Sequence, residues 1–305
     1  MKTLSLFPLL FKESFKSWRQ SSASEQSELL AYNAIFSLPG LLIVIVWILG
    51  AFMGDEAIRG EIEKQVSGIA GKPIAESLQN MISSATLDQK NTGMKIVGII
   101  SLVFGSTTLF FQMQKALNTV WGVQPAPKKA IEKYFLDRAN SLGMVLIIAF
   151  LLLISLVLSS LIGLTNNWII RHFNLETFLM IRLLNFLSGV LISTILFALI
   201  FKVLPDVEIP WKTVGLGALV TAILFAIGKF ILSIYFEVSK PESVFGAAGT
   251  IILLMLWVNY TCQILFFGAQ FTKNYAKKRN HKITPSLHAK WDKDSLFFKE
   301  NLTKL

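Results

Sequence analysis

The chain has 305 residues, 53% of them hydrophobic and only 16% charged, and its mean hydropathy is +0.58. Such hydropathy excludes an ordinary soluble domain and points to one integral-membrane bundle, with a formal net charge of +10 that bears on topology rather than on nucleic acid. A single cysteine, Cys262, excludes an intrachain disulfide, and three histidines (His172, His281, His288) lack metal-ligand spacing, so no metal and no cofactor is expected.

Residues 1–28 read as a cytosolic N-terminal segment, too broken by charge for a cleavable signal peptide. Phe11, Phe15 and Trp18 recur at i, i+4, i+7 beside Lys12, Lys16 and Arg19. That pattern predicts a short interfacial helix with rings at headgroup depth, or else a helix packed on the end of the bundle. A membrane domain follows over 29–271. Span 1, 29–53, places Asn33, Ser37 and Gly40 on one face, and Pro39 removes a backbone donor and predicts a bend. Residues 54–91 read as a helical extracytoplasmic cap, because unstructured loops of that length are uncommon in compact domains.

Span 2, 94–120, carries Thr108, Gln112 and Lys115 at i, i+4, i+7, with Lys115 close enough to the end to snorkel, pair or meet a ligand. Span 3, 140–164, is almost purely aliphatic and reads as lipid-exposed. Span 4, 181–204, leads through Pro205 and Pro210 to Trp211, an interface anchor. In span 5, 212–236, the ridge Ala218, Ala222, Ala226 allows close helix approach, and Lys229 falls near that face, pointing into the bundle. Span 6, 247–271, follows a small-residue turn containing Gly246 and Gly249. Its Asn259, Gln263 and Gln270 lie within about 40° of helix arc. A polar stripe inside a membrane packs on other helices or lines a wet cavity, because unpaired amides are expensive in hydrocarbon. Residues 272–305 form a basic cytosolic tail.

With both termini cytosolic, the cytosolic segments hold 19 Lys and Arg and the outer segments 7, while Lys95, Lys115 and Lys229 lie in spans. The positive-inside bias therefore agrees with an even number of spans. The predicted fold class is all-α: a six-transmembrane-helix bundle with cytosolic N- and C-termini.

Several short motifs, in order, resemble the YihY/BrkB family of bacterial inner-membrane proteins. They are Ala31-Tyr32 through Phe36-Ser37-Leu38-Pro39, Ala116-Leu117-Asn118 with Trp121, and Leu204-Pro205 with Trp211. Further along come Gly217-Ala218, Tyr235, Phe245-Gly246 with Gly249, Trp257 with Tyr260, and Gly268-Ala269-Gln270. The resemblance implies six spans in the cytoplasmic membrane. It carries an old ribonuclease label and an association with serum resistance, neither of which defines a mechanism. Asn33, Phe245 and Gln270 depart from the family's tyrosine, tyrosine and glutamate; the last departure argues against proton coupling at that position.

RNA hydrolysis needs acid–base groups or metal-binding carboxylates within reach of one another. The spans hold no Asp or Glu except Glu237 at an edge, and Glu132, Asp137, Asp206 and Glu208 are scattered, so the chain reads as no enzyme. A transporter or lipid translocator is the leading expectation. Its cavity contacts would be Asn33, Ser37, Thr108, Gln112, Lys115, Lys229, Asn259, Gln263 and Gln270, and Pro39, Ala218, Ala222, Ala226, Gly246 and Gly249 would serve as hinge and packing positions. A cationic cavity without acids suits an anionic solute or a lipid phosphate. The alternative is a non-transporting scaffold of the cell envelope, in which the polar stripes only join helices. Membrane lipids, anionic ones in particular, are the expected partners; nucleic acid is not, and nothing in the sequence supports a homo-oligomer.

Overall fold

In a computed structural model, residues 6–36, 92–126, 175–239 and 247–292 are described, together with a few helical positions between 67 and 79. Most of span 1 with Ser37 and Pro39, most of the cap, span 3, Gly246 and the tail beyond residue 292 lie outside the described residues.

Helix α1, Leu6–Gln20, ends where Ser21 donates through its hydroxyl to the Trp18 carbonyl at 2.7 Å. Helix α2 is described over residues 23–36, with Ser22 at its N-cap accepting from the Gln26 amide. Helix α3, Thr92–Trp121, stops at Gly122, whose φ of 73° favours glycine. Strand β1, Val123–Pro125, follows. Helix α4 is Leu175–Val203, β2 is Val207–Glu208, and α5 is Trp211–Ser239. Helix α6, Ala247–Lys278, precedes β3, Thr284–Pro285, and β4, Ala289–Trp291.

Among the described residues, three helices are long and apolar enough to cross a membrane: Phe186–Val203, Trp211–Ser239 and Ile251–Lys278. They coincide with the expected spans 4, 5 and 6. Helix α3 has 30 residues and coincides with span 2. Much of the exposed surface of α4 and α5 is itself apolar. Leu187, Leu191 and Ile195 on α4 and Ile223, Ile227 and Ile234 on α5 all exceed 40% exposure. Contiguous exposed aliphatic stripes suit acyl chains and not water.

The chain divides into two compact units, the first from residues 1–17, 117–224 and 267–305 and the second from residues 18–116 and 225–266. In the first, Leu10, Val220 and Phe271 form a core, with Phe11, Leu224, Phe267 and Tyr275 packed around it. In the second, Ile74, Phe236, Leu253 and Leu254 form a core, joined by Ile35, Leu232 and Trp257. Within each unit α5 and α6 run antiparallel. Gly217 meets Thr272 and Thr221 meets Gly268 in the first; Gly228 meets Tyr260 in the second.

The all-α expectation needs one amendment. Two antiparallel ribbons pair β1 with β4 and β2 with β3. Their cause lies at the end of α6. Asn280 adopts φ 51°, His281 N donates to Ala276 O at 3.0 Å, and Asn280 N donates to Lys277 O at 3.3 Å. This Schellman cap turns the chain back. The returning backbone then pairs with polar groups of the two loops that would otherwise need other partners.

Candidate functional site

Two polar assemblies come from the fold, one in each unit. In the second unit, Asn259 and Gln263 sit one turn apart on α6, and Gln263 Nε2 donates to Asn259 Oδ1 at 2.7 Å. Both are half-buried. Lys229 on α5 is also half-buried, next to Gly228, where the Tyr260 ring occupies the space a Cβ would need. Asn33 on α2 has its Nδ2 buried without a hydrogen-bond partner, as do Gln79 Oε1 and Ser239 Oγ in the same unit. Each such atom carries a desolvation penalty of about 1–3 kcal/mol.

The stripe on α3 takes a different place. Thr108 and Lys115 are exposed, Gln112 is half-buried, and the neighbouring Phe111 is 62% exposed. Helix α3 instead buries Met113, Ala116, Leu117 and Val120. Thr108 and Lys115 therefore lie on an exposed face beside an exposed ring. Gln270 belongs to the first unit and is buried, whereas Asn259 and Gln263 belong to the second. The single stripe expected on span 6 is thus divided between the units.

Threonines in the spans satisfy themselves. Thr194, Thr221, Thr261 and Thr272 each donate to the carbonyl four residues earlier at 2.7–2.8 Å. Such back-bonding lets a hydroxyl sit in an apolar helix without a partner on another helix.

The first unit holds an assembly that sequence reasoning missed. Asn118 Nδ2 donates to Asp206 Oδ2 at 2.8 Å, and Asp206 N donates to Asn118 Oδ1 at 2.7 Å. This two-bond clamp joins the last turn of α3 to the loop between α4 and α5. Lys273 Nζ, from α6, donates to Val120 O at 2.6 Å and so satisfies a terminal carbonyl of α3. The segment after α6 completes the assembly. Ser286 N donates to Asp206 O at 3.0 Å, Ala126 N to His288 O at 2.7 Å, and Asp292 N to Gly122 O at 2.9 Å. Thr213 Oγ1 and His281 Nδ1 are hydrogen-bonded at 2.6 Å. Residues 281–292 therefore form a clasp across the ends of α3, α4 and α5. The one available sequence signal was that Asn118 stands in a family motif and Asp206 in a turn bracketed by prolines. In that turn Lys202 Nζ also donates to Ile209 O at 2.7 Å and lies 5.8 Å from the exposed Trp211 ring.

The packing positions Ala218 and Ala222 are fully buried, and Ala226 is half-buried. Close approach to α6 in the first unit falls one residue off that ridge, at Gly217 and Thr221. Gly249 is buried near the start of α6. Among the described residues, no three His, Cys, Asp or Glu side chains gather as a metal would require.

The family model described as Virulence factor BrkB matches residues 14–292. A UPF0761 membrane protein of Haemophilus influenzae is 25% identical over 275 residues, covering 88% of this chain and 95% of its own length. One from Aeromonas salmonicida is 28% identical over 255 residues, covering 80% of each chain. One from Teredinibacter turnerae is 24% identical over 272 residues, covering 87% of this chain; the chain spans only 60% of that relative. No solved structure matches.

Proposed function

The chain belongs to the Virulence factor BrkB family, and we propose that this integral membrane protein moves an anionic amphiphile or small solute across a bacterial cytoplasmic membrane. Both termini face the cytosol in this reading, as the distribution of Lys and Arg favours. The reaction is passage, not bond chemistry, and no catalytic group is assigned.

The observation that carries the reading is the open polar face of α3. Thr108 and Lys115 are exposed on a helix of spanning length. Polar and cationic groups against acyl chains are expensive, so such a face is suited to water or a headgroup. Lys229 and the Asn259–Gln263 pair add polar groups to the same unit. Two cations and neutral amides favour a phosphate or carboxylate over a cation.

The test is reconstitution. The full-length protein is placed in phosphatidylcholine vesicles containing fluorescent phosphatidylglycerol, and loss of protection of the inner-leaflet label from a membrane-impermeant quencher is followed. Movement above protein-free vesicles, reduced by Lys229→Met and by Lys115→Met, supports the proposal. Rates equal to protein-free vesicles overturn it for lipids, and the same assay with entrapped organic anions addresses the solute form.

A second reading, a non-transporting scaffold, has its own observation. Four in-span threonines and the Asn259–Gln263 pair are satisfied within single helices. Polarity that is consumed inside each helix needs no substrate.

A further inference from the structure

Helix α1 buries one side on α6 and leaves the other open. Leu10 and Ser14 are fully buried. The Phe11 ring lies 5.7 Å from Phe267 and 5.4 Å from Phe271, and Phe7 lies 6.2 Å from Phe271. Asn274 Nδ2 donates to Ser14 Oγ at 3.1 Å, and Lys278 pairs with Glu13 at 2.8 Å. The helix is therefore fixed by rings, an amide and an ion pair, all between Phe267 and Lys278.

That stretch of α6 is where its apolar span gives way to Lys273, Lys277 and Lys278. In a membrane helix such a change marks the level of the headgroups. Helix α1 is thus held at headgroup depth. Its open side has a matching composition. Leu9 and Phe15 are each 54% exposed, and Lys12 and Lys16 are exposed. At 100° per residue both lysines fall on the arc between Phe15 and Leu9. Glu13 is the only acid of the helix, and Lys278 already neutralises it. The surface is cationic at its centre and apolar at both margins.

We propose that this face of α1 is a docking surface for anionic phospholipid headgroups. Lys12 and Lys16 donate to phosphate oxygens, and Phe15 and Leu9 enter the acyl-chain boundary on either side. Charge complementarity selects the occupant, because a cationic strip at headgroup depth meets the phosphates of the surrounding leaflet before any soluble partner. The surface is separate from the polar faces invoked for transport and does not depend on movement of any substrate.

The test uses the full-length protein in detergent, titrated in parallel with phosphatidylglycerol and phosphatidylcholine, with retained lipids counted by native mass spectrometry. Two lysines near a headgroup surface correspond to a preference for phosphatidylglycerol of roughly 30-fold. Lys12→Gln/Lys16→Gln should remove most of that preference. Lys282→Gln/Lys290→Gln, which takes the same charge from the tail, should leave it intact. The share of the preference removed by Lys12→Gln/Lys16→Gln should be the same in a Lys229→Met background, which separates this surface from a transport site. Both lysines of α1 are exposed, so an unchanged melting curve verifies the fold. Equal retention in the α1 variant and the parent overturns the proposal, as does equal retention of the two lipids. Loss of a co-purifying acidic protein in the α1 variant, with lipid retention unchanged, assigns the surface to a protein and overturns it as well.

Discussion

Thr221 of α5 and Gly268 of α6 form one half of a reciprocal contact. A Cβ on Gly268 would overlap the Thr221 hydroxyl and lie 2.8 Å from Thr221 Cγ2. The other half is Thr272 against Gly217, where an added Cβ would lie 2.8 Å from Thr272 Cβ. Each threonine donates to the glycine four residues before it on its own helix, Thr221 to Gly217 O and Thr272 to Gly268 O, both at 2.7 Å. Glycine lets the backbones approach, and the back-bond keeps the hydroxyl from needing a partner elsewhere. Close approach of this kind gains dispersion contacts, the main source of helix association where lipid is as apolar as the helix.

Gly217→Ala and Gly268→Ala should each destabilise the protein by about 1–3 kcal/mol, as overpacking does. Gly189→Ala and Gly215→Ala, where nothing lies within 4 Å, should stay within about 0.5 kcal/mol of the parent. Thermal or denaturant unfolding in detergent measures both. Adding Thr221→Ala to Gly268→Ala should recover part of the loss, because the two alanines then share the space. Strict additivity would show that the contact is not what limits the approach.

The clasp predicts a second set of effects. Asp206→Ala leaves the Asn118 amide facing no carboxylate and should cost about 1–3 kcal/mol. Asn118→Ala removes both bonds and orphans the backbone N–H of residue 206, so it should cost at least as much, and the double variant little more than Asn118→Ala, because the one bond that Asp206→Ala removes is then already lost. Hydrogen exchange gives the local reading. Amides of residues 284–291 should exchange faster in either single variant, because ribbons of two or three residues have no independent stability. Unchanged protection there would mean that the clasp does not depend on the clamp.

Asn280 offers a test of how α6 ends. Its φ of 51° suits glycine and asparagine and strains a β-branched side chain. Asn280→Gly should be neutral or stabilising, and Asn280→Val should lower stability by about 1–2 kcal/mol. Circular dichroism melts compare them. A neutral valine variant would show that the cap is not under this constraint.

Much of this architecture was legible because helix periodicity and hydropathy are local properties. Three of the predicted spans appear as long apolar helices, and α1 lies where aromatic and basic spacing put a surface helix. The G-x3-T spacing at Gly217–Thr221 and Gly268–Thr272 is present too, but the alanine ridge Ala218, Ala222, Ala226 is the longer small-residue repeat and lies one residue away. The clasp was not legible. Asn118, Asp206 and His281 are far apart in sequence, and only the ends of α3, α4 and α6 bring their partners near. The α3 stripe shows the same limit in another form. Spacing put Thr108, Gln112 and Lys115 on one face, but which way that face turns depends on what Met113 and Leu117 pack against.

The Asn259–Gln263 pair separates the transport reading from the scaffold reading. Gln263→Leu leaves Asn259 Oδ1 without its donor inside an apolar helix, and Asn259→Leu leaves Gln263 Nε2 without its acceptor. Each single change should therefore cost more than the pair is worth, because the orphaned group bears the desolvation penalty, about 1–3 kcal/mol. Replacing both by leucine removes the two polar groups together. The double variant should be at least as stable as either single one, since even a side-chain hydrogen bond between membrane helices contributes only about 0.6 kcal/mol. That stability ordering holds under either reading and is checked by unfolding in detergent. Function then divides them. A double variant that folds, melts like the parent and no longer moves labelled phosphatidylglycerol assigns the pair to a substrate path. One that folds and moves lipid at the parent rate restricts the pair to holding α6 together, and leaves the open face of α3, with Lys115, as the surface on which transport must rest.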